Sequence, residues 1–189
     1  MNKLGQLIQS YFAITPEEGR IIEGLFQPEK LEKGSFYTKK GLVCGKLSFI
    51  KSGLMRVYAP YEDKDITHWI ASPGEFIAEM GGLIFQQESR FTIQCLTDCE
   101  LYTLSPTHYE QLASLLPRWH LIEKRFIAKC FMMLEARVFQ HLSLSAEERY
   151  LQLMQHQKDL LQEVPLQHLA SMLGMSAETL SRIRAKRIS

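Results

Sequence analysis

The chain has 189 residues, 46% of them hydrophobic and 23% charged, with a net charge of +1. That length fits one large domain or two small ones, and the composition excludes a disordered or low-complexity chain. No run reaches the ~20 apolar residues of a membrane span, and the opening MNKLGQLIQSYF has no long apolar run or cleavage signal. A cytoplasmic protein with no membrane partner is expected.

The net charge hides an asymmetry. Pro165 to Ser189 carries four basic residues, Arg182, Arg184, Lys186 and Arg187, against one acid, Glu178; that end is +3 and the rest is −2. A basic end on a slightly acidic body suits a polyanion, and equally a solvated terminus. Of Cys44, Cys95, Cys99 and Cys130, only Cys95 and Cys99 are close. No second pair or nearby histidine completes a metal site, so all four read as reduced structural cysteines.

Residues 1–27 read as helical. Leu4, Leu7, Ile8, Tyr11 and Phe12 recur at helical spacing, and Thr15-Pro16-Glu17-Glu18 is a cap, a first-turn proline and two acids opening a second helix near 16–25. Residues 28–104 read as short strands divided by Lys33-Gly34, Lys40-Gly41, Ser52-Gly53, Ala59-Pro60, Ser72-Pro73-Gly74 and Gly81-Gly82. KLSFI and LMRVY flank Lys51-Ser52-Gly53 as a hairpin would. In FTIQC, Phe91, Ile93 and Cys95 alternate with Thr92 and Gln94, which predicts one buried face. Strands at this spacing make a sandwich or small barrel.

Residues 107–189 read as helical again. Pro117 opens the longest helix, which runs to about Leu142 and spans roughly 35 Å. Leu121, Ile122, Phe126, Ile127, Phe131, Met132, Met133, Leu134, Val138 and Phe139 cover more than one stripe of it, which calls for two partners. One is the chain's own β domain, and the other is the same helix of a second subunit or further burial within a monomer. Ser145-Ala146-Glu147-Glu148 caps another helix, to about Leu161.

The segment Pro165 to Arg184 carries the sharpest pattern. Pro165 opens a short helix, and Leu166, Leu169, Ala170 and Leu173 face inward. Gly174 ends it, Ser176 caps the next helix, and Leu180 and Ile183 face back. Two short helices on such a turn form a helix-turn-helix. Glu178, Ser181 and Arg182 then share an outward face. Arg182 can fork onto guanine, Glu178 can accept from cytosine N4, and Ser181 can reach a base edge or a phosphate. Ser176, Thr179, Arg184 and Lys186 are placed for phosphates.

LASMLGMSAETLSRIR resembles the helix-turn-helix of the Crp/Fnr family of bacterial regulators. ETLSR at 178–182 is closer to that family's E-x-x-S-R than to its R-E-T-x-x-x-R, since Ala177 stands where the latter has arginine. The resemblance covers nearly the whole chain. It implies an α+β architecture with an N-terminal jelly-roll, or double-stranded β-helix, over 1–116, a dimerisation helix over 117–142 and a DNA-binding domain over 143–189. The chain stops at Ser189, where family members often continue into a β-hairpin wing, so a wingless reader is expected. The implied partners are double-stranded DNA, a second copy of the chain, RNA polymerase and a small-molecule effector.

In GEFIAEMGGLIFQQESRFTIQC the resemblance places a nucleotide cassette. Ala78-Glu79-Met80 matches the stretch that offers a ribose carboxylate, but the later Arg-Ser pair reads Ser89-Arg90, with Ser89 at the arginine position. Adjacent strand residues point to opposite faces, so Arg90 would face away unless a bulge restores the register. The effector pocket that the resemblance implies, of Glu79, Met80, Ser89 and Arg90, is therefore expected to take a ligand other than cyclic AMP, or none. The first cysteine is Cys44, away from the family's N-terminal iron–sulfur ligands, and His68 is a lone strand histidine rather than an expected haem ligand.

No catalysis is expected. A cupin-type enzyme needs a histidine pair with a glutamate, and residues 28–104 contain only His68. The competing reading is a sensing or protein-interaction module whose helix-turn-helix no longer reads DNA.

Overall fold

The computed structural model describes residues 3–12 and 14–186. Helices α1 (Lys3–Phe12) and α2 (Pro16–Leu25) come first. The Thr15 hydroxyl accepts from the Glu18 amide at 3.3 Å, and the Glu18 carboxylate accepts from the Thr15 amide at 2.8 Å. This reciprocal cap holds the Glu18 carboxyl below its ordinary pKa. Of the expected apolar set, Leu4, Ile8 and Phe12 are buried, while the side chains of Leu7 and Tyr11 lie outside the described residues.

Eight strands follow: β1 (Gln27–Leu31), β2 (Phe36–Thr38), β3 (Leu47–Ser52), β4 (Met55–Tyr61), β5 (Lys64–Ala71), β6 (Phe76–Ala78), β7 (Thr92–Cys95) and β8 (Cys99–Leu104). They form two four-stranded sheets, ordered β1-β8-β3-β6 and β2-β7-β4-β5. The expected β3–β4 hairpin is not one, because the two strands lie in different sheets. Ser52-Gly53-Leu54 instead carries the chain across, with the Leu54 amide donating to Thr97 Oγ1 at 2.9 Å. Gly53 has φ +92°, and a Cβ there would overlap the Asp98 carbonyl and Cys99.

Two further expectations are corrected. Gly81-Gly82 is no turn between strands but part of a short helix, α3 (Met80–Phe85). FTIQC buries more than one face: Thr92, Ile93 and Cys95 are all buried, because sheet and loop cover both sides. Cys95 and Cys99 are buried free thiols, and a hydrogen bond with Cys99 pulls the Cys95 thiol down to about 7.

Helices α4 (Pro106–Leu115) and α5 (Trp119–Ser143) follow. Helix α5 starts two residues later than Pro117, after a turn in which the Trp119 amide donates to the Leu116 carbonyl. Ser145 caps α6 (Ala146–His156), which ends short of Leu161 because Gln157 leaves helical geometry at φ −141° and ψ 50°. Helices α7 (Leu160–Glu163), α8 (Leu166–Met172) and α9 (Ala177–Ala185) complete the described chain.

The chain divides into two compact units, Met1–Val57 with Ile70–Phe131, and Tyr58–Trp69 with Met132–Ser189. The core of the first joins Leu4, Ile8 and Phe12 of α1 to Leu47 and Phe49 of β3, Leu112 of α4, and Trp119, Ile122 and Phe126 of α5. Phe12 stacks on Phe126 at 4.8 Å between ring centroids, and Phe76 lies edge-on to both at 5.7 Å. In the second, the outer parts of β4 and β5 belong with the C-terminal helices: the Thr67 amide donates to Ser171 Oγ at 2.9 Å. The Arg137 guanidinium donates to the His68 carbonyl at 2.6 Å and lies 4.3 Å from the centre of the Trp69 ring.

Gly53→Ala would place a side chain in left-handed backbone against a carbonyl. A loss of about 2 kcal/mol or more is expected, read as a fall of several degrees in the thermal unfolding midpoint.

Candidate nucleic-acid interface and effector pocket

Helix α8 begins after Pro165 and buries Leu169, Ala170, Met172 and Leu173, with Leu166 half-buried. Gly174, at φ +66°, ends it in the left-handed conformation that glycine adopts without a Cβ penalty. The Gly174 and Met175 amides return to the carbonyls of Ser171 and Ala170, each at 3.0 Å. Ser176 then caps α9, its hydroxyl accepting from the Thr179 amide at 3.2 Å. Leu180 is fully buried and Ile183 half-buried, with α9 packed on α8 and α6.

The exposed polar side chains on the outer side of α9 are Glu178, Ser181 and Arg182. Their spacing of three and four residues puts them on one face. The helix N-terminal amide, Ser176 and Arg182 hold the Glu178 carboxyl below its ordinary pKa, so it is an anionic acceptor at neutral pH. Arg182 Nη2 donates to Thr179 Oγ1 at 3.2 Å, and Ser176 Oγ donates to the same oxygen at 3.1 Å. Ser176 and Lys186 are exposed, and Thr179 and Arg184 are half-buried. Arg187 lies outside the described residues.

The expected effector residues are held differently. Glu79 is 7% exposed and caps α3, its Oε2 accepting from the Gly82 amide at 2.6 Å. Gly82 is pressed against the Cys44 backbone, where a Cβ would overlap the carbonyl oxygen. Met80 packs on the core of the first unit. Ser89 is 2% exposed, its hydroxyl 3.4 Å from that of Thr38 and its amide donating to the Leu42 carbonyl. Arg90 is exposed, its guanidinium 6.0 Å from the centre of the Phe91 ring. An open groove of about 470 Å³ lies nearby over Phe36, Thr38, Lys39, Leu42, Val43 and Lys46, and none of the four expected residues lines it.

Sequence reasoning missed the α3 cap, for which Glu79-Met80-Gly81-Gly82 was the available signal: an acceptor three residues before a glycine amide. It also missed Met172 as core. Among the described residues no three His, Cys, Asp or Glu side chains cluster as a metal site would, and no helix is long and apolar enough to cross a membrane. Partial burial and Arg137 push the pKa of His68 below its ordinary value.

Residues 28–114 match the family model of the cyclic nucleotide-binding domain. Among solved structures, the chain is similar to the c-di-GMP-responsive global regulator CLP of Xanthomonas campestris, at TM-score 0.67 and 21% identity over 91% of each chain. It is similar to a CooA mutant of Carboxydothermus hydrogenoformans, at TM-score 0.64 and 19% identity over 87% of this chain and 77% of that one. It is also similar to the catabolite activator protein of Thermus thermophilus, at TM-score 0.60 and 23% identity over 95% and 85%. These likenesses show a common fold. No curated protein matches the chain in sequence.

A cyclic nucleotide, the ligand the family model implies, does not fit these residues. Its phosphate needs a cation, since a buried phosphodiester without one is costly to desolvate. The buried position holds Ser89, and the neighbouring Arg90 lies outside against Phe91. Calorimetry with cyclic AMP and cyclic GMP is expected to show no saturable one-to-one binding below about 100 μM. Micromolar binding would show that another cation enters the site.

Proposed function

We propose that the protein is a DNA-binding transcription regulator of the Crp/Fnr type, in which α8 and α9 form a helix-turn-helix and two copies read a palindromic site. The observation that carries this reading is the exposed Glu178–Ser181–Arg182 face on a helix fixed by the Ser176 cap and the buried Leu180. These are side chains suited to base edges, and the hydroxyls and cations beside them suit phosphates. The fold shared with three regulators along most of their length supports the same reading. The protein acts in the cytoplasm, without catalysis, and its effector is not a cyclic nucleotide.

Helix α5 supplies the second copy's seat. Beyond Phe126 its apolar side chains are exposed, including Phe131 at 64%, Leu134 at 45% and Val138 at 52%. Ile127, Phe131, Leu134 and Val138 are spaced by four, three and four residues, the a/d pattern of a coiled-coil seam. Pairing two such helices buries this stripe and sets two readers about one helical turn of DNA apart, roughly 34 Å.

Two measurements test the reading. In a gel shift against a palindromic duplex selected from a random pool, Arg182→Ala should weaken binding at least about tenfold and relax preference at one base position. Equal binding of that variant, or salt-dependent binding with no sequence preference, favours a module that no longer reads sequence. Leu134→Glu should shift sedimentation from dimer to monomer and reduce site affinity with it. A wild-type protein that sediments as a monomer would remove α5 from the argument.

A further inference from the structure

The groove beside the expected effector residues is bordered by β2 and the loop that leads from it to β3, and that loop is tied down along its length. The Leu42 amide donates to the Lys39 carbonyl at 3.1 Å, the Gly41 amide to the Ser89 carbonyl at 2.9 Å, and the Ser89 amide to the Leu42 carbonyl at 2.8 Å. The Lys40 amide donates to Thr92 Oγ1 at 3.1 Å, and Val43 pairs with Glu88 in an antiparallel bridge. A wall held at so many points loses little freedom when a ligand settles on it. The volume of about 470 Å³ falls within the ~300–1,000 Å³ of small-molecule clefts.

The lining joins apolar surface to positive charge. Leu42 and Val43 are 57% and 58% exposed, and Pro106 is exposed with them. Among the described residues no aspartate or glutamate lines the groove, while Lys39 and Lys46 both do. The two lysines differ in what already faces them. Lys46 Nζ lies 2.7 Å from Glu29 Oε1 and 4.2 Å from the centre of the Tyr37 ring, so its charge is matched. Lys39 is exposed, its Nζ 4.2 Å from the centre of the Phe36 ring, and among the described residues no carboxylate pairs with it. The groove therefore offers one unmatched ammonium beside an apolar wall.

A second depression of about 370 Å³ shares Val43, Gly45 and Pro106 with the groove and continues to Tyr109 and Glu110 of α4. Charge thus runs from positive at Lys39, across apolar side chains, to negative at Glu110. An anionic head is attracted at the first end and repelled at the second, which fixes the direction in which an amphipathic anion lies. The count of charges narrows the ligand further. A phosphomonoester or a nucleoside diphosphate carries two or more negative charges, and this surface leaves one cation to meet them. A carboxylate carries one.

We propose that this groove binds a monocarboxylate with an apolar body, its carboxylate at the Lys39 ammonium and its body over Leu42 and Val43 toward Pro106. The site uses none of Glu79, Met80, Ser89 and Arg90, and its occupancy does not depend on the reading of α9. Two contributions hold the ligand. Burial of its body against Leu42 and Val43 is insensitive to charge. The charge-assisted hydrogen bond from Lys39 requires the anion and weakens as salt screens it. A neutral amide of the same shape keeps the first contribution and loses most of the second.

The experiment titrates the full chain, its leucine and valine methyl groups isotopically labelled for NMR, at about pH 7.5, where carboxylic acids are ionised. The probes are octanoate and phenylacetate, each paired with its neutral amide. At least one carboxylate should shift the Leu42 and Val43 methyl signals saturably, with a Kd of about 1 mM or tighter. Its amide should bind about three- to tenfold more weakly, and raising the salt from about 50 mM to about 500 mM should narrow that gap. Lys39→Gln should bring the carboxylate to the level of its amide and leave the amide unchanged. Val43→Asp, which sets an anion in the groove, should weaken the carboxylate at least about tenfold, read at Leu42. Unfolding midpoints within a few degrees of wild type establish that both variants are folded. No saturable shift with either carboxylate, an amide that binds as tightly as its acid, or wild-type affinity in Lys39→Gln overturns the proposal. Shifts at Leu134 and Val138 of α5 in place of Leu42 and Val43 overturn it as well, as adsorption on exposed apolar surface.

Discussion

Phe12 stacked on Phe126, with Phe76 edge-on to both, joins three segments that are distant in sequence. One ring comes from the first helix, one from a three-residue strand, and one from the first third of the longest helix. Aromatic pairs in these geometries gain about 0.5–1.5 kcal/mol beyond their burial. The contribution here is also positional. Strands as short as β2 and β6 bury little on their own, and the α1, α4 and α5 side chains complete the core. The start of α5 is therefore fixed by the β domain.

That anchorage shapes the rest of α5. Trp119, Ile122 and Phe126 are consumed by the core, while the apolar side chains after them are left in water. A run from Ile127 to Leu142 with this much exposed apolar surface is costly unless something covers it. Its heptad spacing matches a second copy of itself. The same stretch supplies Arg137 and His141, which hold the β5 carbonyl at His68 and the end of α8. The exposed apolar stripe and these two side chains thus lie on the same helix.

The residues that the family resemblance assigns to an effector are held in contacts within the fold. Ser89 and Arg90 lie in irregular chain before β7 rather than in a strand, and their side chains still part ways. Ser89 is buried against Thr38, and Arg90 is outside against Phe91. Glu79 caps α3 at the Gly82 amide.

Local rules decided much of this protein from sequence alone. Thr15, Ser145 and Ser176 cap the helices they precede, Gly174 takes positive φ, and Leu169, Ala170 and Leu180 are buried, because caps and helical periodicity depend on residues within a turn of one another. The face of Glu178, Ser181 and Arg182 was legible for the same reason. Only the tertiary structure decided which sheet each strand joined, why Gly81-Gly82 is helical, and which carbonyls Arg149 and His141 hold. Several of those outcomes depend on distant partners, 24 residues away for Arg149 and Leu173 and 31 away for His141 and Met172. No periodicity records such a pairing, since a strand's hydrogen bonds and a cation's acceptors are chosen by whatever packing brings beside them.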